Sequence, residues 1–292
     1  MRIVTYEFNG EIYSGVIKSN FVVPFAEFFG ENVTTLEFIN SAKDDIIDTI
    51  NKKIKDIENI CSKVNAENVK LLSPIHIPFR NVFCLGKNYH DHIKELAGFT
   101  GTGEVPTHPV YFTKTAYPPV GPCDNINLNQ DATKCLDYEV ELGIIVGKKG
   151  RNIKKEEAYS YIFGYTIIND VSAREVQKNH SQWFKGKSLD GTCPIGPHIV
   201  TKDEIADVNN LNIKSTVNGE LRQNSNTKNM IFDIPFIISQ LSQGLTLYPG
   251  DIIATGTPSG VGQGFDPPKY LKKGDIVSCE IESIGNLVNV VS

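Results

Sequence analysis

The sequence has little of what marks nucleic-acid-binding, membrane-spanning or disulfide-built proteins. Arginine is scarce: Arg2, Arg80, Arg151, Arg174 and Arg222 are the only five in 292 residues, and the formal net charge is -5. No lysine–arginine cluster offsets that balance, so the electrostatic footprint of a nucleic-acid binder is missing. No apolar run approaches the ~20 residues that cross a bilayer, which excludes a membrane helix as the organising element. The opening MRIVTYEFNG alternates like a strand and lacks the apolar core of a signal peptide. Cys61, Cys84, Cys123, Cys135, Cys193 and Cys279 are scattered, with no CxxC pair, and read as reduced thiols of a cytoplasmic protein. The sequons at Asn32 and Asn179 then carry no consequence. No GK[ST] phosphate loop and no GxSxG elbow is present, which argues against nucleotide hydrolysis and against a serine nucleophile.

What is there reads as a globular chain with two textures. Hydrophobic residues make up 40% and charged residues 22%, enough for a full core. Residues 1–25 suggest a small antiparallel unit, with Asn9-Gly10 suited to a type I′ hairpin turn. Over 35–62 the period changes: Ile46, Ile47, Ile50, Ile54, Ile57 and Ile60 recur at helical spacing. Ser41 with Asp44 resembles a capping box. The stretch LLSPIHIPFR, with Pro74 and Pro78, reads as the linker into a second part. Beyond it strands are expected at 81–86, 138–146, 162–169, 196–202, 211–217, 220–223, 251–255, 276–282 and 286–291, with one clear helix near 230–243. Few strands alternate with helices, so a doubly wound parallel sheet is not expected.

The run LDYEVELGIIV at 136–146 carries the first chemistry. In a strand, side chains alternate between faces, so Tyr138, Val140, Leu142 and Ile144 share a core face. Glu139 and Glu141 then project together from the other, ~7 Å apart at the backbone. Like charges that close repel, and a divalent cation with oxygen ligands relieves the repulsion. An ExE pair alone ordinarily marks the solvated face of a strand. A second acidic site, Asp170 at the end of the expected strand 162–169, joins it only if the fold brings the two together. In GKNYHDHIKE, His92 and Glu95 are three apart and would share a helical face, where Glu95 can orient an imidazole base. Two histidines in a polar surface loop are the plainer reading of that segment. Lys185 and Lys187 flank Gly186, and a lysine beside a metal site can stabilise an oxyanion, although most lysines are solvated. The turn ATGTPSGVG follows a strand; its glycines permit close backbone approach to an anion, and Thr257 offers a hydroxyl.

Taken in order, GKNYHDHIKE, DYEVELGIIVGK, GYTIINDVSAREVQ, KGKSLDGTCPIGP, NGELRQNSNTKNMIFDI and TLYPGDIIATGTPSGVG resemble the fumarylacetoacetate hydrolase superfamily over roughly residues 70–292. The resemblance implies a β-rich α+β fold. In it, a mixed β-sandwich roll at 71–292 forms the catalytic domain, a small α+β domain spans 1–70, and the chain assembles as a homodimer. It implies metal ligands at Glu139, Glu141 and Asp170, with Mg2+ or Mn2+ as the cofactor and Ca2+ as a further candidate. It implies a catalytic His92–Glu95 pair and an active-site Lys187. Thr257 falls at the substrate-binding threonine, and Arg174 and Gln177 are expected to face the same cavity, Arg174 equally as a partner of the acids.

The function so implied is divalent-metal-dependent hydrolysis of a C–C bond in a small 2,4-dioxo acid of the acylpyruvate or fumarylpyruvate type, as in aromatic compound catabolism. A metal-stabilised enolate would form, with His92 activating water. The same metal–enolate centre also supports decarboxylation or tautomerisation, as in lyases that decarboxylate oxaloacetate and isomerases of hydroxy-dienoic dicarboxylates. A non-catalytic metal- or ligand-binding protein on this fold is the alternative of another class, against which the intact His92, Glu95 and Lys187 argue. The expected partner is a small oxo-acid, with neither nucleic acid nor membrane. The segment 88–104, with Gly98, Gly101 and Gly103, suits a lid.

Overall fold

The computed structural model describes residues 1–41, 44–97, 99 and 103–292. The N-terminal part supplies strands β1 (Arg2–Phe8), β2 (Glu11–Lys18), β3 (Phe21–Pro24), β4 (Val64–Asn65) and β5 (Lys70–Leu72), and helices α1 (Ala26–Phe29), α2 (Thr35–Ser41) and α3 (Asp44–Lys53). Next come β6 (Val82–Gly86), α4 (His90–Glu95), β7 (Val110–Lys114), β8 (Asn125–Ile126), β9 (Leu136–Asp137), β10 (Val140–Val146), β11 (Ile162–Asn169) and β12 (Ser172–Ala173). The chain closes with α5 (Arg174–Asn179), α6 (Phe184–Lys187), β13 (Ile195–Thr201), β14 (Asn212–Val217), β15 (Glu220–Asn226), α7 (Ile234–Leu241), β16 (Ile252–Ala254), β17 (Ile276–Ile281) and β18 (Gly285–Val291).

Among the described residues, eleven strands form one sheet in the order β4-β3-β2-β1-β13-β11-β10-β16-β6-β7, with β5 on β1. Five more form a second sheet, β15-β14-β17-β18-β8. Only β16 with β6 and β18 with β8 run parallel. The fold is α+β and strand-rich, as expected. Val140, Leu142, Ile144 and Val146 pack into one core with Ile213, Val277, Ile281 and Leu287 of the second sheet, so the period-two reading of β10 holds for its apolar face. Ile145 turns the other way and meets Phe25, Phe38, Ile50, Ile54 and Ile199. The large sheet is therefore covered on both sides at its centre, and every residue of β10 and β11 is buried.

Two local expectations change. Ser41 is the last residue of α2, and its hydroxyl donates back to the carbonyls of Glu37 and Phe38. The capping box sits one element earlier: the Thr34 amide donates to Glu37 Oε2 at 2.9 Å, and the Glu37 amide donates to Thr34 Oγ1 at 3.2 Å. Residues 1–25 do form antiparallel strands, with Asn9 and Gly10 both at positive φ in the turn. They do not stand alone, however, because β1 pairs with β13 and continues the central sheet.

The linker is pinned at its end. Arg80 donates through Nε and Nη2 to both carboxylate oxygens of Asp251 and, through Nη2, to Thr246 O at 3.0 Å. Its guanidinium lies 4.9 Å from the Phe83 ring centroid and 5.3 Å from that of Tyr248. Asp251 is buried, so its charge depends on that fork. Arg80→Ala leaves Asp251 with the Tyr248 amide as its remaining donor to the side chain. We expect a loss of about 3 kcal/mol in unfolding free energy by denaturant titration, because one member of a buried pair is stranded. Arg80→Lys, which lacks the planar fork, should recover only part of it.

Candidate active site

β10 and β11 are antiparallel, with Val140 opposite Asn169 and Glu141 opposite Ile168. That register brings the residue after β11 back beside the start of β10. The Asp170 amide donates to Glu139 O at 2.8 Å, and the Glu139 amide donates to Asn169 Oδ1 at 3.0 Å. One carboxylate oxygen from each of Glu139, Glu141 and Asp170 then lies within 4.8 Å of the others. All three side chains are buried, which overturns the solvated-face reading of the ExE pair.

The charges around this cluster are nearly balanced. Lys187 Nζ donates at 2.7 Å to Glu139 Oε2 and at 2.7 Å to Asp170 Oδ2. Arg174 reaches Glu139 Oε1 through Nη1 at 2.7 Å and Asp137 Oδ2 through Nε at 2.8 Å. Lys114 Nζ stands 3.0 Å from Asp170 Oδ1. Four carboxylates thus face three fixed cations, leaving one net negative charge if all are ionised. The imbalance falls on Glu141. Burial and then the charges of Asp170 and Glu139 push its carboxyl well above the usual range. For Glu139 burial also works against ionisation, but Lys187 and Arg174 outweigh it and hold it down at about 2. Asp170 Oδ1 is buried without a hydrogen-bond donor, Lys114 lying within ion-pair range but off the hydrogen-bonding direction. An all-oxygen donor set, a spare lone pair and surplus negative charge together fit a divalent cation.

Two short helices missed in the sequence place the remaining groups. α5 sets Arg174 and Gln177 three residues apart on one face, where Arg174 Nη1 donates to Gln177 Oε1 at 3.2 Å. Arg174 therefore spends most of its donors on Asp137, Glu139 and Gln177; its Nη2 alone has no partner among the described residues. α6 ends on Lys187 and turns it inward.

α4 carries His92 and Glu95. His92 Nδ1 lies 3.3 Å from Glu95 Oε2, and Glu95 Oε1 accepts the Gly260 amide at 2.8 Å. Pairing at Nδ1 leaves His92 Nε2 as the free ring nitrogen. The glycines of the ATGTPSGVG turn do meet anions, but the anions are the chain's own. The Gly256 amide donates to Glu141 Oε2 at 2.8 Å, and the Gly262 and Gln263 amides donate to Asp137 at 2.6 and 3.0 Å. Gly260 takes φ +103°, and a Cβ there would lie 2.0 Å from Arg222 O, so no side chain is tolerated. Thr257 donates its hydroxyl to Val140 O at 2.9 Å and accepts from Gln223 Nε2 at 2.7 Å.

A narrow crevice joins these parts, lined by His92, Glu139, Glu141, Arg174, Gln177, Lys187 and Thr257, with Phe112, Trp183 and Leu96 as apolar walls. Of the expected lid, Gly98 and Gly101 lie outside the described residues. Sequence reasoning missed four supports: Asp137, Asn88, Gln223 and Lys114. Asn88 is fully buried and ties α4 to the turn, its Nδ2 donating to Thr255 O at 2.8 Å and its Oδ1 accepting the Phe232 amide at 2.7 Å. Asp137 and Asn88 sit inside the motifs already singled out, and adjacency was the available signal.

Comparison with known proteins agrees with this architecture. The family described as fumarylacetoacetate (FAA) hydrolase C-terminal matches residues 81–292. The oxaloacetate tautomerase YisK of Bacillus subtilis is 49% identical over 223 residues, covering 76% of this chain and 73% of that protein. The solved fumarylacetoacetate hydrolase EaFAH from psychrophilic Exiguobacterium antarcticum superposes with a TM-score of 0.85 at 42% identity, covering 100% of this chain and 99% of that one. The maleylpyruvate hydrolase from Sphingobium sp. SYK-6, solved with manganese(II) and pyruvate, superposes at 0.77 with 26% identity over 100% of this chain and 98% of that one. With the family match spanning most of its length and these relatives beside it, this chain is an enzyme belonging to the fumarylacetoacetate hydrolase superfamily.

Proposed function

We propose that the protein is a divalent-metal-dependent tautomerase interconverting the enol and keto forms of oxaloacetate or a closely similar small oxo-dicarboxylate. The observation that carries this reading is the crevice lined together by Glu139, Glu141, Lys187 and His92, with Asp170 completing the carboxylate cluster and Glu95 paired to His92. The similarity to YisK moves the emphasis from C–C hydrolysis to tautomerisation. Glu139, Glu141 and Asp170 would hold Mg2+ or Mn2+, and the cation would supply Lewis-acid stabilisation of enolate charge.

The chain's own residues do the rest. Glu95, anchored by the Gly260 amide, holds the His92 ring through Nδ1 and leaves Nε2 to take or return the proton at the substrate carbon. Lys187 keeps an ammonium at the cluster, because Asp170 and Glu139 outweigh the burial that would otherwise lower its pKa, and this positive charge favours the enolate oxygen. In the forward direction the enol oxygen loses its proton and the carbon gains one, so no water or second substrate is consumed. Arg174, Gln177 and Thr257 border the substrate, with Arg174 acting mainly through Glu139. The exclusion of bulk water by Phe112, Trp183 and Leu96 strengthens each of these charges.

A second reading, hydrolysis of a 2,4-dioxo acid, is favoured by one feature: the His92–Glu95 pair suits activation of a water as well as proton transfer at carbon. A homodimer and a cytoplasmic setting complete the proposal; the free thiols support the second. Every crevice residue follows residue 80, which supports assigning catalysis to 71–292 and a supporting role to 1–70.

Glu141→Gln should weaken Mn2+ binding by at least about tenfold by electron paramagnetic resonance titration, since the cluster loses the carboxylate with no ammonium on it. Turnover is read from the decay of the enol's ultraviolet absorbance in Mg2+. The wild-type protein should accelerate that decay, and His92→Ala should slow it by roughly 10²-fold or more. No acceleration over the Mg2+ blank sinks the tautomerase assignment. Cleavage of an acylpyruvate into pyruvate and a second acid, without enol decay, would return it to the hydrolases.

A further inference from the structure

Lys114 has no solvent exposure, which a lysine tolerates only when its charge and its donors are met. Its ammonium stands 3.0 Å from Asp170 Oδ1, donates to Val171 O at 2.8 Å and donates to Lys187 O. These partners belong to three pieces of the site: a carboxylate of the cluster, the backbone that follows it, and the last residue of α6. The Lys187 carbonyl lies at a helix end, where carbonyls lack intrahelical partners, so the contact also satisfies an orphan acceptor. The side chain of that same Lys187 donates to Asp170 Oδ2. Asp170 is thus held between two ammonium groups, one on each oxygen, and Lys114 grips the backbone from which the second extends. Lys114 sits behind the cluster rather than among the residues lining the crevice.

We propose that Lys114 is a positioning residue that fixes Asp170 and the Lys187 end of α6, so that the three carboxylates keep the spacing a divalent cation needs, without itself touching cation or substrate. This rests on the cation site proposed above. The substitution Lys114→Met keeps the length and removes both charge and donors. In the folded variant, the Mn2+ dissociation constant from paramagnetic resonance should rise by about tenfold or more, and kcat should fall by at least about tenfold with KM nearly unchanged, the size typical of groups that orient metal ligands. A merely structural lysine would lower the unfolding midpoint and leave Mn2+ affinity and kcat at wild-type values, and that result overturns the proposal. A crystal structure of the wild-type protein with Mn2+ gives a reading that needs no variant. Lys114 Nζ should keep Val171 O and Lys187 O and remain beside Asp170; its departure from all three overturns the proposal even if Lys114→Met does not fold. Mn2+ affinity is read without substrate, so failure of oxaloacetate turnover counts against the substrate assignment alone.

Discussion

The structure depends on accommodating buried negative charge. Glu139, Glu141, Asp170 and Asp137 are sunk beneath the surface within one region, and the half-buried Glu95 pairs with His92, which lines the same crevice as Glu139 and Glu141. Carboxylates out of water are costly unless each finds donors or cations. The fold answers with both. Lys187, Arg174 and Lys114 provide the charge, and the turn after β16 provides amides to Glu141, Glu95 and Asp137. That turn is shaped by glycines because its backbone must come within hydrogen-bonding reach of three acids at once.

The compensation is incomplete, and the incompleteness has a chemical meaning. Glu141 receives a backbone amide but no direct ammonium, and its carboxyl is pushed upward by burial and by its two acidic neighbours. An acidic triad that carries surplus negative charge on its oxygens could bind a divalent cation. Superfamily members are named both as tautomerases and as hydrolases. An enolate is common to both chemistries; hydrolysis adds the attack of water on a distal carbonyl carbon, whereas tautomerisation only moves a proton between the enol oxygen and its carbon.

The supporting residues were the least legible in the sequence. Lys114 ends β7, a strand absent from the sequence-based expectation because no long alternation announces it, and a lysine carries no mark that distinguishes burial from solvation. Gln223 lies in β15, where it accepts the Val140 amide and Ser215 hydroxyl and donates to Thr257 and Pro258; nothing local to it points to that clamp. Thr257 was read as a free hydroxyl, yet its proton is committed to Val140 O. In each case the meaning of the side chain comes mainly from partners more than thirty residues away.

The sequence by itself determined the strand identity of β10, because apolar residues at every second position admit only one face to that core. It also determined that Glu139 and Glu141 project together, that His92 and Glu95 share a helical turn, and, through the ordered motifs, the superfamily. Only the tertiary structure decided that Asp170 joins the two glutamates, because β10–β11 register is a property of pairing between strands and not of either strand's composition. It alone decided that the glutamate face is dry, because a sheet covered on both sides buries its polar face as fully as its apolar one. The spare lone pair on Asp170 and the lysine beside it follow from the same cause: burial makes each charge in this region depend on its neighbours, and only the folded chain specifies which they are.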